Sequence, residues 1–194
     1  MATNIDEQDW LNFLETGNTT SKDKTNNNCI CEGVSIEEIY KKAEELGIET
    51  NPLDIKSVVE KLFNIKVYEA DLDRNISGFI ERISGQEWAI YLNQWESKLR
   101  QNFTLAHELG HFIKHREILL SGSHIDQVLF RDTENSDIEM EASEYAANLL
   151  MPKCKFDEYI KNGITNIEEL SKKFGVSSAA IRYRAYKLKY ISEY

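Results

Sequence analysis

A chain of 194 residues with 41% hydrophobic content can bury one compact core. No stretch approaches the ~20 apolar residues of a membrane span, and Met1-Ala2-Thr3-Asn4 opens no charged and apolar signal, so a cytoplasmic protein without a membrane contact is expected. The formal charge of −10 works against contact with DNA phosphates at long range and suits a basic partner.

Residues 1–34 are polar and rich in Asn, Thr and Ser, which predicts a mobile tail unable to bury enough apolar area to order on its own. Trp10, Leu11, Phe13 and Leu14 form a small apolar cluster within it, suited either to docking on a body or to a transient helical turn. Cys29, Cys31 and Cys154 are an odd number and give no disulfide framework. They read as free thiols, since Cys29-Ile30-Cys31 lacks further metal-binding partners nearby.

From Ser35, with Glu37 and Glu38 in the first turn, a helix is predicted to about Leu46, stopped by Gly47. Asn51-Pro52 is read as opening a second helix through about Leu62, with Pro52 in its first turn. Three extended segments follow, Ile65 to Leu72, Ser77 to Ile83 and Trp88 to Asn93, rich in Val, Ile, Tyr and Phe. Ser84-Gly85-Gln86 is the expected hairpin turn, and Trp88 to Asn93 is read as an edge strand able to pair with an extended substrate.

The next segment carries His107-Glu108-Leu109-Gly110-His111, an H-E-x-x-H run. With ~100° per residue in a helix, His111 lies about 40° from His107, Thr104 about 60° and Glu108 about 100°. The opposite arc holds Leu105, Ala106, Leu109, Phe112 and Ile113, the apolar stripe of a core-facing helix. Two imidazoles one turn apart beside a carboxylate can hold Zn²⁺ and activate its water. The bland alternative is a helix with two satisfied structural histidines. His115 lies near the same arc and reads as a packing or hydrogen-bonding group rather than a ligand, and His124 falls in a loop after Ser121-Gly122-Ser123.

Such a site needs a third protein ligand. The segment from Ile138 to Leu150 reads as a helix ended by Pro152. Glu139 is central on its small-residue and apolar face, among Ala142, Ser143, Ala146, Leu149 and Leu150. A carboxylate there needs a partner to offset desolvation, and a metal supplies one. Glu141 and Glu144 point away and read as a solvated surface.

Residues 161–194 are similar to a helix-turn-helix, with Gly175 at the turn and Ser177 as a cap. They carry seven Lys or Arg against three Glu, leaving −14 on the rest of the chain. Arg182, Arg184, Lys187 and Lys189 are candidates for nucleic-acid contact, but a helical pair packed on the body is the preferred reading.

With both helices in hand, the chain resembles the ImmA/IrrE family of zinc metallo-endopeptidases. Arg100-Gln101-Asn102-Phe103-Thr104-Leu105-Ala106 leading into His107 to His111 resembles that family's R-x-x-F-T-x-A-H-E-x-G-H signature. Glu139 to Pro152 is similar to its E-x-x-A-N-x-F-A-x-x-L-L-M-P element, and Ile76-Ser77-Gly78-Phe79 to its approach to the site. Two departures stand: Ser143 where Asn is usual, which weakens a hydrogen-bonding role at that position, and Tyr145 where Phe is usual.

The resemblance implies an α+β, zincin-like fold with a small three-stranded, antiparallel-type sheet packed on helices. It divides the chain into the tail at 1–34, a metallopeptidase domain at 35–160 and the C-terminal helical pair at 161–194. It implies Zn²⁺ on His107, His111 and Glu139, with Glu108 as general base and then acid, and cleavage of a helix-turn-helix repressor in a stress or mobile-element response. The alternative is a catalytically idle regulatory or DNA- or protein-binding module that retains the fold.

Overall fold

The computed structural model describes residues 34–120 and 136–193. Trp10, Cys29, Cys31, His124 and the tail at 1–33 lie outside the described residues.

Helix α1, Ile36–Glu45, begins at Ser35 with a reciprocal cap: the Ser35 side chain accepts from Glu38 N, and the Glu38 carboxylate accepts from Ser35 N. It ends where Gly47 takes φ 65°, a left-handed turn that glycine adopts without a Cβ penalty. Helix α2, Ile55–Leu62, starts later than the sequence suggests. Asp54, not Asn51-Pro52, caps it, with Asp54 Oδ1 accepting from Ser57 N at 3.1 Å and Oδ2 from Ser57 Oγ at 2.7 Å. An aspartate that satisfies exposed amides sets this helix start more firmly than the fixed φ of Pro52.

Strands β1, Ile65–Ala70, β2, Gly78–Ser84, and β3, Glu87–Asn93, form one sheet in the order β1-β3-β2. The β2–β3 hairpin is antiparallel as expected, but β1 runs parallel to β3. The sheet is therefore mixed, and β3 is its central strand rather than an edge. The physical reason is the 71–77 connection, which carries the chain past one strand position and leaves a gap that the returning hairpin strand fills.

Asn93 holds that connection in place. Its Nδ2 donates to the carbonyls of Ile76 at 2.8 Å, Asp73 at 3.1 Å and Leu72 at 3.3 Å, and its Oδ1 accepts from Trp95 N. One face of the sheet is solvated and bears a stacked row of Tyr68, Tyr91 and Phe79. The other buries Ile65, Ile80, Trp88 and Ile90.

Helix α3, Lys98–Lys114, lies against the buried face, with Phe112 edge-on to Trp88 at 5.4 Å between ring centroids. Its predicted stripe of Leu105, Ala106, Leu109, Phe112 and Ile113 is buried throughout. A short helix α4, Arg116–Leu120, follows. Helix α5, Ser136–Leu150, packs along α3 through Ala142 and Ala146, both fully buried. Gly110 is what allows this approach: a Cβ there would stand 3.1 Å from Ala142 O and 3.3 Å from its Cα. Tyr40 Oη donates to Leu149 O at 2.9 Å and ties α1 to α5.

Pro152 stops α5 and caps α6, Lys153–Lys161. Helices α7, Ile167–Phe174, and α8, Ser178–Lys187, meet at left-handed Gly175, with Ser177 capping α8. Phe174 stacks on Phe156 at 5.5 Å, Asn102 Nδ2 donates to Gly175 O at 2.9 Å, and Arg184 is buried with its Nε donating to Met151 O. Arg184 is thus taken from the candidate nucleic-acid face by its packing role. No helix among the described residues is long and apolar enough to cross a membrane.

Candidate metal centre

Helix α3 presents His107 and His111 one turn apart, and α5 brings Glu139 to them from the facing helix. The Nε2 atoms of His107 and His111 lie 3.0 Å apart. Glu139 Oε2 is 3.2 Å from His107 Nε2, and its Oε1 is 3.3 Å from His111 Nε2. Among the described residues these three form the group able to hold a metal ion.

The donor set fits a small divalent cation. Two imidazole nitrogens at ~2.05 Å from a tetrahedral zinc stand about 3.3 Å apart, close to the separation found here. The two Nε2 atoms face the Glu139 carboxylate at 3.2 and 3.3 Å, where each can donate to it as N–H or turn its lone pair to a shared cation. Burial pushes the Glu139 carboxyl up, but hydrogen bonds and charge from His107 and His111 outweigh it and hold the group well below the usual carboxylate range.

Glu108 sits beside this group without joining it, 8% exposed on the core side of the cleft. Burial pushes its carboxyl up, opposed by His107 and His111 and by the Ile80 backbone amide, which donates to it from β2. A carboxyl raised toward neutrality beside a cation site is suited to exchanging protons.

The far nitrogens of both imidazoles are also engaged. Ser143 Oγ lies 3.2 Å from His107 Nδ1, so Ser143 makes a contact that its departure from Asn gave no reason to expect. His111 Nδ1 lies 3.2 Å from His115 Nδ1, and His115 Nε2 lies 3.2 Å from Glu141 Oε2. His115 is thus a hydrogen-bonding group, as its position suggested, while Glu141 is not merely a solvated surface residue. Helical angles misjudged Glu141 because its long side chain reaches back to His115, which caps α3 with φ −122° and no longer follows the helix.

A cleft of about 670 Å³ opens over the group. Ser77, Gly78 and Arg100 line one side, and Ser177, Ala180 and Tyr183 of the C-terminal pair line another. The contribution of α8 had no sequence signal, since it depends on how the C-terminal pair folds back.

A mixed three-stranded sheet over an H-E-x-x-H helix, with an acidic residue supplied by a second helix, is the architecture of a metallopeptidase-like domain. The family model for Peptidase_M78, the IrrE N-terminal-like domain, matches residues 43–186, and the chain belongs to that family. The match agrees with the resemblance drawn from the two motifs. Among solved structures, the fold is similar to that of a Mycobacterium tuberculosis transcriptional regulator, with a TM-score of 0.54 and 18% identity, covering 78% of this chain and 46% of that one. The chain thus spans less than half the length of that regulator, and the likeness is one of fold. None of the curated proteins compared matches the chain.

Proposed function

We propose that the protein is a zinc-dependent endopeptidase acting in the cytoplasm on a protein partner, a basic helix-turn-helix repressor, in a stress or mobile-element response. The convergence of His107, His111 and Glu139 to hydrogen-bonding distance beside buried Glu108 is the observation that carries this reading.

His107, His111 and Glu139 would hold the zinc, which when bound supplies Lewis acidity toward a scissile carbonyl and acidifies water in the cleft. Glu108 accepts a proton from the attacking water at its carboxylate and later delivers it to the leaving amine. Its raised proton affinity favours the second role, and the Ile80 amide keeps the carboxylate turned toward the site. β2 is a sheet edge whose Gly78 and Ile80 line the cleft, so an extended substrate can lie along it by backbone pairing. The −10 charge favours encounter with a basic partner.

The test is incubation of zinc-loaded protein with a small DNA-binding repressor encoded beside it. Cleavage by the wild type, lost in Glu108→Gln with zinc retained, supports the enzyme. The fold shared with a transcriptional regulator favours a second reading, a catalytically idle regulatory module. Zinc-loaded protein that shifts DNA in a gel yet never cuts a partner would establish that one instead.

A further inference from the structure

With Glu141 ionised and His115 neutral, the hydrogen bonds behind the metal centre allow one proton arrangement around His111. Glu141 is acceptor-only when ionised, so His115 Nε2, 3.2 Å away, must donate to it. A neutral His115 then has a bare Nδ1, which at 3.2 Å can only accept from His111 Nδ1. His111 is left with its lone pair on Nε2, the atom facing Glu139 and His107. His107 has no such instruction, because the hydroxyl of Ser143 can either donate or accept.

We propose that His115 and Glu141 are positioning residues: a carboxylate–imidazole relay that fixes the tautomer and ring orientation of His111 so that its Nε2 is presented to the metal. The inference rests on the metal-site reading above. Burial supports a relay rather than a chance contact. His115 is 8% exposed and packed at the end of α3, so little of its ring is open to water as a substitute partner. Glu141, by contrast, has a side chain 55% exposed, and it reaches from solvent to close the chain.

The relay also couples assembly of the site to helix docking. Helix α5 carries the ligand Glu139, the orienting carboxylate Glu141 and the hydroxyl of Ser143 within little more than one turn. Seating α5 on α3 therefore supplies one metal ligand and aligns the other two in the same step. Carboxylates, carbonyls or waters usually orient ligating histidines directly, and their loss typically weakens metal binding about 10- to 100-fold. Here a second imidazole lies between ligand and carboxylate.

The experiment compares wild type with Glu141→Ala, His115→Phe and Glu144→Ala by chelator competition for Zn²⁺, and by ¹⁵N NMR of the imidazoles in metal-free protein. The expected result is about tenfold weaker zinc binding in Glu141→Ala and up to about 100-fold in His115→Phe. His111 should be an Nδ1–H tautomer in the wild type and a mixture in both variants. Glu144→Ala, which removes an equal charge from an exposed position on the same helix, should bind zinc as the wild type does. Because Glu141 is exposed, its variant decides the matter even if His115→Phe fails to fold.

Wild-type zinc affinity and an unchanged His111 tautomer in Glu141→Ala overturn the relay while leaving the metal site standing. Equal losses in Glu141→Ala and Glu144→Ala overturn it as well, reducing the effect to bulk charge. A wild-type protein that binds no zinc at all overturns the metal reading and the relay together.

Discussion

Glu139 Oε2 approaches His107 Nε2 to 3.2 Å from a different helix, while the same carboxylate's Oε1 stands 3.3 Å from His111 Nε2. One acidic side chain thus bridges both imidazoles, and its charge compensates whatever positive charge lies among them. Glu139→Gln keeps the shape and removes that compensation. Zinc affinity should fall about 100-fold or more, equivalent to about 2.7 kcal/mol. Zinc at 1,000 times its dissociation constant stabilises a folded protein by about 4 kcal/mol, so the metal should raise the wild-type melting temperature by about 10 °C and that of a 100-fold weaker variant by only about a third as much. Equal thermal shifts in the two proteins would remove Glu139 from the ligand set.

How much of this was legible in the sequence depends on whether the signal is local. His107 and His111 were legible because a one-turn spacing fixes a shared helix face whatever the tertiary structure. Glu139 was legible because a carboxylate on the same helix face as Ala142, Ala146 and Leu149 calls for a partner to offset its desolvation. Strand order was not local information. The place of Trp88 to Asn93 at the centre rather than the edge follows from which strands pair on either side of it, β1 from before the 71–77 connection and β2 from after it. Asn93 and Glu141 were missed for a different reason. Each acts through partners brought together only by the folded chain, the 71–77 connection for one and His115 for the other.

Buried Glu108 should cost the metal-free protein stability. Its carboxyl is raised by burial, so the folded state holds the proton more tightly than the unfolded chain does. With the folded state binding more protons, stability falls as pH rises from the ordinary carboxylate range, and the penalty is fully present once the folded group ionises. Glu108→Gln should therefore melt higher than wild type at pH 7 without zinc, by on the order of 1 kcal/mol. The gap should close below about pH 4, where the wild-type carboxyl is protonated in both states. A gap of the same size at pH 3.5 and pH 7, by calorimetry on metal-free protein, would show that ionisation of Glu108 is not its source.

Asn93 should prove more important to stability than its polar nature suggests. It is 2% exposed, and its amide nitrogen serves three carbonyls of the 71–77 connection. Asn93→Asp is nearly isosteric but acceptor-only when ionised, so those carbonyls lose their donor and face a negative charge. The expected loss is about 3 kcal/mol at pH 7, read from the urea midpoint. It should shrink in acid, where a protonated Asp can donate again. Asn93→Asp with a wild-type midpoint at pH 7 would mean that water replaces these bonds without cost.

Gly78 sets the distance between β2 and the site helix. A Cβ at this position would lie 2.7 Å from Tyr91 O and 2.7 Å from Thr104 Cγ2, contacts that require backbone to move. Gly78→Ala should cost about 1–3 kcal/mol of stability, the usual range for forcing an extra carbon into a packed contact. It should also shift Ile80, two residues along the same strand face, away from Glu108. Zinc affinity should stay near wild type, because the proposed ligands come from α3 and α5, whereas turnover of any cleaved partner should drop. Gly85 is the comparison: with φ 50° and nothing within 4 Å of where a Cβ would stand, Gly85→Ala should cost only the strain of a left-handed residue, about 1 kcal/mol, and leave turnover intact. If Gly78→Ala and Gly85→Ala instead lose stability and turnover alike, the close approach of β2 to α3 has no bearing on how Glu108 is held.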